Sequence, residues 1–491
     1  MLTLLMLTLV ILVSEEWRHQ FIEDEAMCFL GREKELRELE TLYEAEGFQM
    51  LIMYGRRRIG KSMLLEKFVQ GKQHIYFTAV ENSARQNLHS FEESIFQVFP
   101  MGEVHPHFSS FEEALSFIGE NAADQRLVVI IDEYPYLAMG DRSASSVLQK
   151  CIDRDWIHRN VFLILCGSSI SFMEDEVLSA KSPLFGRRTA QLNLQPFGYE
   201  EAALFVPDYT PQEKLIAYAV TGGVAKYLAL LDSGKDIYEN IIQLYFSETG
   251  YLFEEPQNLL RQEFQNISLY NSIITAMANG SVSVNEIAQK SGISTASLSQ
   301  AMKRLIAVRI VNREVPILNK NKRYVRYVLS DGVFAFWYRF VLRGITAIGL
   351  GFGRDYFEMQ VKQCLNDFMS EEFERVCRRY ALKLSMTGRI ATGISEVGKW
   401  MGNDNVKKET ADIDVVGLNA TDHLAVIGEC KFRNEPMDVK SVAKCLDRAR
   451  LLPGYHVSEY LMFSKAGYRE GVKEAFADQS VHFFEPEDLY E

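Results

Sequence analysis

Gly55, Gly60, Lys61 and Ser62 stand at the spacing G-x-x-x-x-G-K-S, a set of residue types that can hold a polyphosphate. The glycines permit backbone angles that a Cβ obstructs, so successive N–H groups can turn inward around phosphate oxygens at a helix N-terminus that already favours negative charge. Lys61 is then placed to reach the β- and γ-phosphates, and the Ser62 hydroxyl to ligate Mg²⁺. Arg56, Arg57, Arg58 and Ile59 fill the loop between the glycines, and Met63 follows in the first helical turn; all five are expected at the bound phosphates. A second chemical feature is Asp132-Glu133 after five apolar residues, where acids emerge at the end of a buried parallel strand. Asp132 suits the outer sphere of the metal, and Glu133 can polarise the water that attacks the γ-phosphate.

The elements that position these groups are legible around them. Leu51, Ile52, Met53 and Tyr54 read as a short buried strand before the loop, and Met63, Leu64, Leu65 and Phe68 continue after it with helical spacing. Gly31-Arg32-Glu33-Lys34-Glu35-Leu36 opens a helix that can lie beside an adenine, which makes Arg32 a candidate contact; its charges otherwise form a solvated face. His74 to Ala79 reads as a strand, and Phe91 to Phe99 and Phe111 to Asn121 read as helices. Val161 to Cys166 is another apolar strand, and Ser168 beyond it is either a γ-phosphate sensor or part of a simple turn. Arg187, after the Gly186 turn, is either an arginine supplied to the transferring phosphoryl group, in cis or from a neighbouring subunit, or a structural ion pair.

Composition bounds the rest. A chain of 491 residues exceeds what one core organises, so two to four domains are expected. With 47% apolar and 24% charged residues it is ordinary for a globular protein, and a net charge of −13 confines any nucleic-acid binding to a local patch. Seven scattered cysteines without a C-x-x-C pair suit a reducing cytoplasm and no cysteine-bound structural zinc. Met1 to Val13 is apolar but too short to span a bilayer and lacks a basic n-region or a small-residue cleavage site. Residues 1–26 are expected to be a dispensable extension, with a monotopic anchor as the alternative.

The segments GREKEL, YGRRRIGKSMLL, VVIIDEYPYL, LILCGSS, SPLFGRRTAQLNLQPF and TGGVAKYL, in that order, resemble the archaeal-type ATPase family within the AAA+ and STAND-like P-loop NTPases. The resemblance covers about Met27 to Leu231. It implies an α/β protein with an αβα core over about 27–205, a helical lid over 206–268 around Gly222-Gly223, and ATP with Mg²⁺ as cofactors. Ala225 departs from it, since the family usually has proline there.

Downstream, Ser283-Val284-Asn285-Glu286 is a capping box, and Ser294 can cap a helix with Leu298, Met302 and Leu305 inward. Strand-like runs at Arg309 to Val315 and Tyr324 to Leu329 complete a winged helix-turn-helix expected over 269–330. Ser297 and Gln300 can approach base edges, and Lys303, Arg304, Lys320, Lys322, Arg323 and Arg326 can contact phosphates of DNA. The rival reading is an interaction module that couples the first domain to the C-terminal one. Residues 331–355, rich in aromatics, are expected to connect the domains as a helix.

In the last segment, expected over 356–491 as a small α/β domain, a long helix from about Tyr356 to Leu384 carries Glu371, Glu372 and Glu374. Strands are expected at Ile394 to Trp400, Ala411 to Leu418 and Leu424 to Phe432. Period two puts Asp412 and Asp414 on one strand face, and Glu429 and Lys431 on one face of the next. Such acids can hold Mg²⁺ while the lysine orients water for phosphodiester cleavage. The bland reading is a surface ion-pair ladder. This order resembles the PD-(D/E)XK restriction-endonuclease-like fold and the domain of unknown function that accompanies archaeal-type ATPases. The resemblance carries over Asp414, Glu429 and Lys431, with Glu374 from the helix and Asp412 only a neighbour; Ser370 stands where that family usually has glycine. The expected partners are ATP, DNA, and a protein partner or second copy, with no membrane span.

Overall fold

The computed structural model describes residues 29–101, 107–122, 125–319 and 321–491. The apolar extension expected over 1–26, the domain start at Met27, Cys28 and Lys320 lie outside them.

Five strands, β1 (Gln49–Tyr54), β2 (His74–Thr78), β3 (Leu127–Asp132), β4 (Val161–Gly167) and β5 (Ala190–Asn193), form a parallel sheet in the order β2-β3-β4-β1-β5. β3 and β4 are buried at every position, as expected of parallel strands covered on both faces. The order inserts β4 between the strand that carries the glycine loop and the strand that carries Asp132. One apolar cluster packs Ile75, Phe91, Ile118 and Trp156 on one face of the sheet; another packs Leu39, Phe68 and Phe162 on the opposite face.

That second cluster does not stop at the sheet. It continues through the helices Pro211–Thr221, Ile237–Tyr245 and Glu255–Glu263, through Phe334, Phe336 and Tyr338, and on to Phe373, Val415 and Phe463 near the C-terminus. The aromatic run Phe334 to Phe340 lies within consecutive helical turns from Gly332 to Gly349.

Ahead of that run, helices Ile267–Ala278, Val284–Ser291 and Thr295–Ala307 precede an antiparallel pair, β6 (Val311–Glu314) and β7 (Arg326–Leu329). Both strands are shorter than the sequence suggests, and Val315 to Asn319 leaves the ladder to dock elsewhere. The last sheet runs β12-β11-β10-β9-β8, with β8 (Glu396–Asp404), β9 (Glu409–Asn419), β10 (Leu424–Lys431), β11 (His456–Ser464) and β12 (Val481–Phe484). β8, β9 and β10 are antiparallel, whereas β10, β11 and β12 are parallel. Helix Leu365–Met386 lies across β8, β9 and β10. The expected long helix starts later than Tyr356, because a π-turn over Phe357–Val361 and a 3-10 turn over Lys362–Cys364 interrupt it.

The segment between β6 and β7 is pinned to the edge strand β8. The Ile317 amide donates to the Lys399 carbonyl at 2.9 Å, and Asn319 Nδ2 donates to the Met401 carbonyl at 2.7 Å. Ile317 is buried beside Trp400 in the core of the last sheet, and Gly398 leaves room for it, since a Cβ there would lie 3.2 Å from Ile317 Cβ. Among the described residues, no helix is long and apolar enough to cross a membrane.

Candidate functional site

The loop after β1, Glu133 after β3 and Ser168 after β4 converge at the C-terminal edge of the parallel sheet, where such sheets bind ligands. With Ala225, Lys226, Tyr251 and Gln262 they line an open cavity of about 430 Å³. Arg57, Lys61, Ser62 and Glu133 line its polar side, and Phe29, Leu30, Phe205 and Ala229 line an apolar side. Gly55 cannot carry a side chain, because a Cβ would lie 2.5 Å from the Leu194 carbonyl oxygen. Gly60, at φ 91°, enters the helix Lys61–Val69 from the left-handed region that favours glycine.

Lys61 is buried, and its ammonium donates to the Gly55 carbonyl at 2.8 Å and the Arg56 carbonyl at 3.0 Å. Burial pushes the ammonium below its ordinary pKa, so an arriving phosphate meets a cation short of negative partners. Ser62 Oγ donates to Asp132 Oδ2 at 2.8 Å, and the Tyr76 hydroxyl donates to the same oxygen at 3.0 Å. A hydroxyl and a buried carboxylate in contact at a helix start are hard oxygen donors, and they fit Mg²⁺. Glu133 stands at the N-terminal boundary of helix Tyr134–Gly140 with φ 51°, and its carboxylate accepts from the Ser168 amide at 3.1 Å and from the Ser168 hydroxyl. Thus Glu133 and Ser168, separate in sequence, meet directly.

The three loop arginines diverge. Arg57 donates to the Tyr136 hydroxyl at 2.6 Å, whereas Arg56 pairs with Asp331 and Arg58 with Glu255. Arg58 holds a left-handed φ of 73°, and its carbonyl accepts from the Lys226 amide of the lid at 3.1 Å. Arg32 lines the cavity, but its guanidinium is turned into the scaffold. It donates to the Ile59 carbonyl at 3.1 Å and the Gln195 carbonyl at 2.7 Å, and lies 4.0 Å from the Phe197 ring centroid. Phe29 and Leu30, which precede it, line the same cavity. Ile59 is fully buried, and Met63 lines the cavity. The lid glycine Gly223 packs so closely that a Cβ would lie 2.2 Å from the Phe197 carbonyl oxygen.

Arg187 is not brought into the cavity. It forms a bidentate pair with Asp153, at 3.0 and 2.9 Å, on an exposed surface. Residues the sequence reading missed include Phe29, Phe205, Tyr251 and Tyr76. Each comes from a segment with no motif of its own, so nothing local could have marked them.

The C-terminal acids also meet. Lys399 Nζ lies 2.8 Å from Glu374, 3.5 Å from Asp412 and 3.5 Å from Asp414. Arg448 bridges Glu429 at 2.8 Å and Asp412 at 3.3 Å, and Lys431 pairs with Glu429. The Cys430 amide donates to Asp414 Oδ2 at 3.0 Å. Burial, then Asp414, raises the Glu374 pKa; burial pulls Lys399 and Lys431 down, but their carboxylate partners carry both above their ordinary values. As a Mg²⁺ site the set fits poorly: the position between Glu374 and Asp414 is taken by the Lys399 ammonium, and Glu429 is spent on Arg448 and Lys431. Neither Lys399 nor Arg448 was singled out from sequence, since neither sits in the D…E-x-K pattern.

A parallel sheet with a glycine-hinged phosphate loop on one strand, and an acid pair on another, defines a P-loop NTPase. Residues 29–231 match the ATPase domain described as predominantly from Archaea, and the protein is an ATPase of that archaeal P-loop type. Residues 337–444 match a family described as archaeal and bacterial proteins of unknown function. An uncharacterized protein of Methanocaldococcus jannaschii is 29% identical over 429 residues, 87% of this chain and 92% of its own length. An uncharacterized ATP-binding protein of the same organism is 42% identical over 47 residues, 10% of this chain and 80% of its own length. The Walker-type ATPase of Pyrococcus abyssi is 21% identical, with a TM-score of 0.48, covering 63% of this chain and 96% of that one.

Proposed function

We propose that the protein is a Mg²⁺-dependent ATPase switch, in which the nucleotide state of the cavity sets the posture of the downstream segments. The observation that carries this reading is the divergence of the loop arginines: Arg56 and Arg58 leave the phosphate loop to pair with the buried carboxylates of Asp331 and Glu255. Phosphate drawn into the loop competes for these guanidiniums or shifts their backbone, and either change loosens contacts to lid and connector. Gly55, Arg57, Gly60, Lys61 and Met63 hold the triphosphate. Ser62, with Asp132 in the outer sphere, would hold Mg²⁺, which would supply charge neutralisation to the phosphates. Glu133 orients the attacking water, and Ser168, bonded to Glu133, senses the γ-phosphate.

In this reading residues 27–205 are the core, 206–268 the lid, 269–330 a winged helix-turn-helix, 331–355 a connector and 356–491 a nuclease-like domain. Helix Thr295–Ala307 exposes Ser297, Gln300, Lys303 and Arg304 on one face, which supports a DNA contact there. The wing is less free: Ile317 and Asn319 are spent on β8, and Arg326 is half-buried. The C-terminal domain acts as a binding and docking body rather than a cutter in this conformation, because Lys399 and Arg448 already neutralise its acids. The second reading, a metal-dependent nuclease, is favoured by the meeting of Glu374, Asp414, Glu429 and Lys431 alone.

Two measurements test these readings together. ATP hydrolysis is followed with and without double-stranded DNA, and plasmid nicking is followed with ATP and Mg²⁺ or Mn²⁺. The switch reading expects DNA to change the hydrolysis rate and leave the plasmid intact. Nicking that is lost in Lys431→Ala, with hydrolysis retained, overturns it in favour of the nuclease.

A further inference from the structure

His89, Glu92 and His107 form a built cluster on the β2-to-β3 crossover, remote in sequence from every motif of the nucleotide site. His89 and Glu92 share one face of helix Ala84–Val98 at i,i+3 spacing. His107 arrives from the segment that leads into helix Phe111–Asn121. The chain at His107 is anchored twice: the Phe108 ring stacks on Phe96 at 5.5 Å, and the Phe108 amide donates to Glu92 Oε1 at 2.5 Å. That bond leaves the other carboxylate oxygen, Oε2, facing both imidazoles, 3.4 Å from His89 Nδ1 and 3.3 Å from His107 Nδ1.

These separations are long for hydrogen bonds to a carboxylate from a charged imidazole, which run at about 2.7–2.9 Å. They match the edges of a tetrahedron: metal–ligand bonds of about 2.0–2.1 Å put neighbouring donors about 3.3–3.4 Å apart. All three donor atoms lie within 4.8 Å of one another. The Glu92 side chain is only 8% exposed, and among the described residues its ion-pair partners are these two imidazoles, with no lysine or arginine. A buried carboxylate with no permanent cation is costly, and a divalent ion removes that cost.

We infer that His89, Glu92 and His107 form a binding site for a zinc-class divalent transition ion, with two imidazole nitrogens and one carboxylate oxygen as ligands and the fourth position open to water. Such donors select zinc, cobalt or nickel over magnesium. The ion clips helix Ala84–Val98 to the start of the next helix, on the crossover that supports the edge strand β2. It is distinct from the Ser62–Asp132 pair.

The full chain, stripped with a chelator and dialysed, is titrated with Zn²⁺ by calorimetry and with Co²⁺ by visible absorption. Wild type is expected to take up one equivalent that His89→Ala/His107→Ala lacks, with a tetrahedral Co²⁺ spectrum lost in the same variant. Both imidazoles are mostly exposed, so the variant keeps its fold, checked by an unchanged thermal midpoint in chelator. Equal Zn²⁺ uptake by wild type and the double variant overturns the assignment, as does a Co²⁺ spectrum that the double variant retains.

Discussion

Arg56 in the phosphate loop and Asp331 at the head of the connector form an ion pair across 275 residues of sequence. The Asp331 side chain is 1% exposed, and its other oxygen caps the following helix by accepting from the Val333 amide at 3.0 Å and the Phe334 amide at 3.3 Å. One carboxylate therefore serves the loop that meets nucleotide and the helix that leads to the C-terminal sheet.

Removing one partner of a buried ion pair costs about 3–5 kcal/mol, because the other charge is left uncompensated. Asp331→Asn is expected to lower the thermal midpoint, and Arg56→Gln/Asp331→Asn to recover part of the loss. ATP-dependent protection of the connector from proteolysis, present in wild type, is expected to vanish in both. Fully additive single effects would show that the two residues act independently.

Glu133→Gln keeps the shape of the side chain and removes its ability to draw a proton from water. Hydrolysis should fall by about 10²- to 10⁴-fold, as for loss of a general base, while nucleotide affinity stays near wild type. Lys61→Ala, by contrast, should weaken ATP binding itself, since the ammonium is aimed at the loop from within. Phosphate release and equilibrium dialysis separate the two outcomes.

Arg187 lies outside the cavity and is held by Asp153. Arg187→Ala should leave ATP affinity unchanged at every protein concentration. A hydrolysis defect that grows as the wild-type rate rises with concentration would mark an arginine supplied between copies; a defect independent of concentration would exclude that role.

Chelation should stop hydrolysis if the Ser62–Asp132 pair holds the metal. Ser62→Ala should raise the Mg²⁺ concentration needed for half-maximal rate, with the maximal rate less affected. Magnesium titrations of wild type and variant decide this.

Glu459 joins β11 to the turn before β8, accepting from the Thr392 amide at 2.8 Å and the Ala391 amide at 3.2 Å, with His482 at 3.0 Å. Burial alone would raise its pKa, but these donors hold the carboxyl below its ordinary value. A depressed folded pKa contributes stability that is present above the unfolded value of about 4.3 and is lost as pH falls through the folded value. Glu459→Gln should therefore lower the thermal midpoint at neutral pH, and the gap to wild type should narrow as pH falls below about 4.3. A gap that persists in acid would show a shape effect instead.

Much of the nucleotide site was readable along the chain because its chemistry is local. Gly55 to Ser62 is a contiguous loop whose function depends on glycine angles and backbone amides, and Asp132-Glu133 advertises itself by following an apolar strand. The C-terminal acids were also readable, since strand alternation puts Asp414, Glu429 and Lys431 on predictable faces. Sequence by itself marked which residues have the types and spacing for these chemistries. Tertiary structure decided what they face: that β4 separates β1 from β3, that Arg56 and Arg58 turn away from the loop, that Ile317 buries itself against β8, and that Lys399 stands among the acids. Those outcomes depend on segments tens to hundreds of residues apart competing for the same charges and the same apolar surface. No local pattern records which partner wins.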